Sequence, residues 1–435
     1  MTGKTQDFIY DLVVVGGGAA GIFSAIIAAE NKPDFKILVL ETNSKPLGKV
    51  KISGGGRCNV THACFDPITL SQNYPRGFRS LRSSFSRFQP ENMVQWLNQK
   101  GIKLKTEPDG RIFPVSNSSE TIIDCFMDLV NQYQIRLWCD QKVVSIDQNP
   151  QINDNEKDVF RINLESKRQG SPNHQLIITH RVLLATGSHP SGYKLAAKLG
   201  HKIIDPVPSL FTLQIKDSQL HELAGVSVPN AIIRLQMPPQ VKISRDAKLE
   251  QQGIVLMTHW GMSGPAILRL SAWAAKELAL GNYQGKLLVN WVPDLTYEAC
   301  QNILQQAKTD APKRLVRNFC PLELPLRLWE YLVTKINIAD KRYMELSTKV
   351  IQEIINVIRN DQYAINGKGV FKDEFVTCGG INLSEIDFKT MESKLCQDLY
   401  FAGEILDIDG ITGGFNFQNA WTTGWIAAQA MTHCN

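Results

Sequence analysis

A chain of 435 residues with a formal charge of +5 and ordinary globular composition holds two or three domains and a large core. No apolar run reaches the roughly 18 residues of a membrane span, and the first residues are too polar for a secretory signal. The nine cysteines include no CxxC pair, so neither a zinc site nor a disulfide framework is indicated, and a cytoplasmic protein is expected.

In chain order, Asp11-Leu12-Val13-Val14-Val15 reads as a buried parallel strand, and Gly16-Gly17-Gly18-Ala19-Ala20-Gly21 opens an Ala/Ile-rich helix. In this strand–turn–helix setting Gly16 permits the tight turn, Gly18 lets backbone approach a pyrophosphate, and Gly21 lets the helix pack on the sheet. The helix N-terminus offers free N–H groups to the phosphates. A second strand, Lys36–Leu40, ends at Glu41, where a carboxylate accepts from ribose hydroxyls. The stretch predicts a site for an adenine dinucleotide.

Lys45–His62 (KPLGKVKISGGGRCNVTH) is a second glycine-rich loop, in which Gly54, Gly55 and Gly56 let backbone lie flat against a ligand. Lys49, Lys51 and Arg57 neutralise phosphates on that reading, or decorate an exposed basic hairpin on the plainer one. In Asn73–Phe88, Arg76, Arg79 and Arg82 recur every third residue, placing them along one side of a helix. The stripe is either a solvated face or a contact for an anionic substrate or nucleic-acid backbone. Helices are expected over Pro90–Gly101 and from Ser118 or Ser119 to Tyr133. Strands are expected over Lys142–Asp147, Val159–Glu165 and Gln175–Leu184 around a polar hairpin. VLLATG, Val182–Gly187, ends in a small-residue turn that suits close approach to a dinucleotide.

From His201 the pattern turns to strands without helices: Phe211–Ile215, Val226–Gln236, Val241–Arg245, Gly253–His259 and Gly285–Val292, favouring a barrel or sandwich. Leu295–Asn360 reads as helical, with Arg314, Arg317 and Arg327 among its charges, and Tyr363–Val376 as extended. No second G-x-G-x-x-G in strand–helix context lies between Ser191 and Val370, which argues against a second dinucleotide domain. The tail resumes the first pattern: the strand Asp398–Gly403, then ITGGFNF (Ile411–Phe417), then a helix from Asn416 to about Ala430. The first domain is therefore discontinuous, with the middle inserted.

Four stretches carry a resemblance to a known family: ISGGGRCNVT (Ile52–Thr61), THWGMSGP (Thr258–Pro265), TCGGI (Thr377–Ile381) and LYFAGEILDIDGITGGFNFQ (Leu399–Gln418). With them the chain resembles, nearly end to end, the YhiN/BaiN/RdsA-like FAD-dependent oxidoreductases, some of which are described as aminoacetone oxidases. The resemblance implies FAD as cofactor and an α/β fold: a discontinuous glutathione-reductase-like FAD-binding Rossmann domain, an inserted β-barrel domain and a further inserted helical domain. The boundaries it suggests are 1–195 with 372–435 for the FAD domain, 196–293 with 361–371 for the barrel, and 294–360 for the helical insert. It implies that Gly16, Gly18, Ala19 and Ala20 meet the pyrophosphate and Glu41 the adenosine ribose. Lys49, Ser53, Gly54, Arg57, Cys58 and Asn59 line the cofactor, and Val143 or Val144 meets the adenine. Ala185, Thr186 and Gly187 pack on the dinucleotide, Gly403 and Glu404 hold the ribityl-phosphate part, and Gly414, Asn416, Phe417 and Gln418 hold the flavin ring. The sequence departs from the family at Leu47-Gly48-Lys49, Phe415-Asn416-Phe417-Gln418 and Trp421-Thr422-Thr423, which bears on substrate rather than on FAD.

The expected activity is two-electron reduction of an activated C=C bond. Family substrates of that type include uridine in ribosomal RNA and bile-acid-type enones. Reduced nicotinamide, NAD(P)H, is the expected transient reductant, and no membrane partner is expected. Oxidation of a small amine with O2, or a flavin-containing RNA-binding protein without turnover, are the competing readings. The amides near Asn416–Gln418 are expected against the N1/C2-carbonyl edge of the flavin. His259 is the candidate proton donor, the plainer role being packing or capping. Cys58 is read as a packing residue rather than a redox thiol.

Overall fold

The computed structural model describes residues 9–149, 159–167, 175–369 and 376–433. The expected polar hairpin and the expected boundary at 371/372 fall largely or wholly outside these residues. The chain divides into two compact units, Met1–Pro206 with Val376–Asn435, and Val207–Phe375.

The first unit is built on a sheet whose centre is the strand Ile9–Val15. That strand is flanked in parallel by Ile37–Leu40 on one side and Gln175–Leu184 on the other. Arg136–Trp138 and Leu399–Phe401 extend the parallel set outward. The side chains of Leu12–Val15 are buried at 0–5% exposure, the run expected of a strand covered on both faces. Register aligns the strand ends: Val15 stands beside Leu40 and Leu184, Leu40 beside Trp138, and Leu184 beside Phe401. The turns that follow, Gly16–Gly18, Glu41, Ala185–Gly187 and Ala402–Gly403, therefore gather along one sheet edge. The chain passes to opposite sides of the first strand there, which is where open α/β sheets bind ligands.

Two helices cover this edge from both ends of the sequence. Ala19–Asn31 is buried from Ala20 to Ala29, and it packs on Phe415–His433. Gly424 permits the close approach, since a Cβ there would lie 2.8 Å from Ser24 Oγ. Phe23 then meets Trp421 edge-on at 5.4 Å between ring centroids. Each such ring removes enough apolar surface from water to contribute about 1.5–3 kcal/mol.

The second unit contains a closed six-stranded barrel: Leu213–Ile215, Gly261–Ser263, Glu250–Thr258, Ser227–Gln236, Gly285–Asn290 and Asp361–Lys368 in order around it. The helices Tyr297–Asp310, Leu326–Lys335 and Thr348–Arg359 share its apolar core. In the last of these Ile351, Ile354, Ile355 and Ile358 supply the buried face at helical spacing. The expected strand Val241–Arg245 is irregular instead. Pro238 and Pro239 before it lack N–H donors, and Val241 N–H closes a turn on Pro238 O.

The arginine stripe expected along one helix face is broken in the fold. The helix begins only at Phe78, after Gly77 in a left-handed conformation, so Arg76 does not share it with Arg79 and Arg82. Arg76 instead forms a bidentate ion pair with the fully buried Asp409. Threefold spacing placed the three on one face only if the helix ran through Gly77.

Candidate cofactor site

The glycine turn has three separate requirements. Gly16 has φ +112°, and a Cβ there would lie 2.4 Å from Ala185 O. A Cβ on Gly21 would lie 1.9 Å from Gly16 O, so the helix packs this closely only with hydrogen at that position. Gly18 differs: its φ is −82°, and a Cβ there would meet no atom within 4 Å. That open space lies at the start of Ala19–Asn31, which has no side-chain cap. Its first N–H groups, ahead of Ile22 N–H on Gly18 O, are therefore available to an anion.

Glu41 stands beside the turn. Its Oε2 accepts from Gly17 N–H at 2.8 Å, and its Oε1 accepts from the Asn43 backbone and side-chain amides. These bonds fix the carboxylate at the end of its strand while leaving lone pairs for ribose hydroxyls. Across the sheet edge, Thr186 Oγ1 is buried without a hydrogen-bond partner among the described residues. A buried hydroxyl in that state has a hydrogen bond to offer to a ligand's polar group or to water. Gly187 follows, and beyond it Glu404 Oε2 pairs with Lys49 Nζ at 2.5 Å while Oε1 accepts from Thr377 N–H. Gly403 donates its N–H to Thr423 Oγ1, and a Cβ on it would lie 2.9 Å from that of Ala20. The two chain ends thus meet at the glycine turn.

In the second glycine loop a short helix starts at Gly48, and the chain leaves helical geometry at Ser53, with Gly54 and Gly55 left-handed. Ile52 and Gly54–Gly56 are exposed. Arg57 is held by Glu107 at 2.6 Å and lies 4.0 Å from the Phe113 ring centroid, so its charge is already partnered. Cys58 is fully buried, and burial pushes its thiol up to about 12, which suits packing and not redox chemistry. In the amide orientation that satisfies its neighbours, Asn59 donates to Thr61 O and accepts from Gly414 N–H. It braces the start of the last helix. Val143 is buried in the core, while Val144 is exposed.

Phe415–His433 begins after Gly413 and Gly414, both at positive φ. Gln418 N–H reaches Gly414 O, which leaves the amides of Phe415, Asn416 and Phe417 as the helix's unpaired donors. Asn416 uses both side-chain groups on Gly410, and Phe417 stacks on Trp421. Gln418 departs from its expected role as a ring contact. It is fully buried, with Oε1 on Thr61 Oγ1 and Nε2 on Thr422 Oγ1, so it serves the scaffold. Tyr74, whose hydroxyl donates to Phe415 O, and His62, stacked on Phe415 at 4.8 Å, join this helix start with no motif in the sequence to announce them. Thr377, in TCGGI, donates its N–H to Glu404, a role its motif does not spell out.

His259 lies in the second unit, exposed on the turn between Glu250–Thr258 and Gly261–Ser263.

This donor set fits FAD: an open space at Gly18, two helix starts with free amides, a fixed carboxylate at Glu41 and an unpartnered buried hydroxyl at Thr186.

The profile of the HI0933-like protein Rossmann domain matches residues 10–430. The chain is 27% identical over 425 residues to the ribosomal RNA dihydrouridine synthase of Escherichia coli, covering 97% of each. It is 25% identical over 421 residues to the 3-dehydro-bile acid delta(4,6)-reductase of Clostridium scindens, covering 96% of this chain and 98% of that one. Its fold is similar to that of the 3-ketosteroid delta1-dehydrogenase from Sterolibacterium denitrificans, with a TM-score of 0.50 at 13% identity over 98% of this chain and 99% of the other. The chain belongs to the HI0933-like family and is an FAD-dependent oxidoreductase.

Proposed function

We propose that the protein is a two-electron reductase of a carbon–carbon double bond conjugated with a carbonyl, and that its substrate is uridine in ribosomal RNA. One observation carries the reading. Relatives spanning 96–97% of the chain are named for the same chemistry on unlike substrates. Dihydrouridine is uridine saturated beside its ring carbonyl, and a delta(4,6)-reductase acting on a 3-dehydro steroid saturates bonds conjugated with a ketone. In this reading the reductant is a reduced nicotinamide that visits and leaves. An RNA substrate of this kind places the work in the cytoplasm, and no helix among the described residues is long and apolar enough to cross a membrane.

Bound FAD supplies two-electron transfer to the substrate. Gly18 and the amides of Ala19 and Ala20 hold its pyrophosphate, and Glu41 holds the adenosine ribose. The free amides at Phe415–Phe417 would hold the flavin ring at the positive end of a long helix, which favours negative charge on the group it holds. Asn59 and Asn416 keep that helix start in place. His259, exposed on the turn that follows a barrel strand, is assigned the proton delivered to the substrate, imidazole being the side chain most often used for proton transfer.

Anaerobic reduction tests these roles together. NAD(P)H is expected to bleach the purified yellow protein, and a ribosomal RNA fragment to restore the colour as dihydrouridine forms. His259→Ala is expected to bleach as wild type does but to form product about 100- to 10,000-fold more slowly; equal rates would remove His259 from the chemistry. Bleaching by aminoacetone with peroxide release would make the protein an amine oxidase. A flavin that nothing bleaches, beside salt-dependent RNA binding, would make it a binding protein.

A further inference from the structure

Two short segments of the second unit carry a cluster of charge that the redox chemistry does not use. Pro312–Arg317 and Ala339–Met344 run antiparallel, with Val316 N–H on Lys341 O, Tyr343 N–H on Arg314 O and Met344 N–H on Pro312 O. Leu315 and Arg342 stand opposite each other in this pairing. It therefore brings Lys313-Arg314 and Lys341-Arg342, distant in sequence, within about two positions of one another along a ribbon. All four are exposed.

The acidic groups nearby are already engaged. Asp340 pairs with Arg317 at 2.9 Å, Glu345 accepts from Arg342 N–H, and Asp310 accepts from the Gln306 side chain. None of the four exposed cations has a carboxylate within ion-pair distance among the described residues. Like charges brought together by the pairing repel one another, less so as salt screens them. A pairing selected for stability alone would set opposite charges across it.

One of the four cations is held in place. The guanidinium of Arg314 lies 5.0 Å from the Phe319 ring centroid. Phe319 is in turn held by the buried Tyr343, edge-on at 5.8 Å and with its hydroxyl on Phe319 O. A preorganised guanidinium fork matches phosphate oxygens better than a mobile ammonium does. Met344 is the large apolar side chain exposed here, a poor anchor for a lipid surface.

We propose that this ribbon binds the phosphate backbone of structured RNA. The proposal rests on the ribosomal RNA reading above and adds the surface that holds the substrate. Phosphate contacts of this kind position an RNA without reading its sequence, so binding through the ribbon is indifferent to base identity.

The test compares wild type, K313Q/R314Q/K341Q/R342Q, and a control, K242Q/R245Q/K286Q, that removes exposed positive charge elsewhere in the same unit. Affinity for a ribosomal RNA fragment is measured across salt concentration with the flavin-loaded protein. The quadruple variant is expected to bind at least about tenfold more weakly, with the salt slope reduced by about 2–3, while the control changes by less than about twofold. Unchanged bleaching by NAD(P)H in all three shows that the flavin site is intact. Equal affinity and slope in wild type and quadruple variant, or an equal loss in the control, overturns the ribbon and leaves the RNA reading standing. The same holds if the quadruple variant keeps its RNA affinity but loses binding to anionic phospholipid vesicles. Dihydrouridine that persists in ribosomal RNA after gene deletion overturns the substrate reading, and the salt slope still decides the ribbon.

Discussion

Gly18→Ala protein is expected to be purified with little FAD, while its apoprotein unfolds at the same denaturant concentration as wild-type apoprotein. The added methyl meets no protein atom within 4 Å, and the residue's φ of −82° is open to alanine, so the fold has no reason to weaken. What the methyl occupies is the space at the helix start, where close approach lets N–H groups reach phosphate oxygens. Losing one or two such charge-assisted bonds, at about 1.5–3 kcal/mol each, weakens FAD binding by about 10- to 100-fold or more. Titration of apoprotein with FAD, followed by the recovered flavin absorbance, measures this. Gly16→Ala is the contrasting variant: its Cβ would lie 2.4 Å from Ala185 O at φ +112°, so it is expected to lose stability and flavin together. A Gly18→Ala protein that holds FAD as wild type does would remove the pyrophosphate from this turn.

Arg76→Met is expected to destabilise the protein by about 3–5 kcal/mol, because it leaves the carboxylate of Asp409 buried without its cation. The side chain of Asp409 is 0% exposed and that of Arg76 12%, so water cannot replace the partner. Arg76→Met combined with Asp409→Leu removes both charges and is expected to recover most of that loss. Denaturant unfolding followed by tryptophan fluorescence distinguishes the two. The pair also anchors the segment entering the last helix, where Asn416 holds Gly410 and Tyr74 holds Phe415 O. Arg76→Met is therefore expected to weaken FAD binding as well. Equal stability of the single variant and wild type would mean that Asp409 finds another donor or takes up a proton.

These residues also mark where the sequence was legible and where it was not. The turn at Gly16–Gly21 could be read because each glycine answers a local demand of the backbone, and local demands leave a pattern. The return of Leu399–Phe401 to the sheet was legible for the same reason, as a strand entering a glycine turn. Arg76 was misread because its spacing to Arg79 and Arg82 suggested a helix, while its true partner lies 333 residues away. Gln418 stands next to residues at a helix start, yet its side chain turns inward to Thr61, 357 residues distant. Such pairings depend on tertiary geometry and leave no periodicity behind. The strand expected at Val241–Arg245 failed because its alternating apolar residues outweighed two prolines in the reading, whereas missing donors decide the outcome in the fold. The basic ribbon was visible only as scattered arginines until the pairing of Leu315 with Arg342 brought its halves together.

The central claim, reduction of uridine in ribosomal RNA by a flavin held between the two ends of the chain, meets its most direct test in the RNA itself. Ribosomal RNA from cells lacking the gene, digested to nucleosides and quantified by mass spectrometry, is expected to lose dihydrouridine and to regain it when the wild-type gene is restored. Dihydrouridine present at the same level with and without the gene would contradict the account.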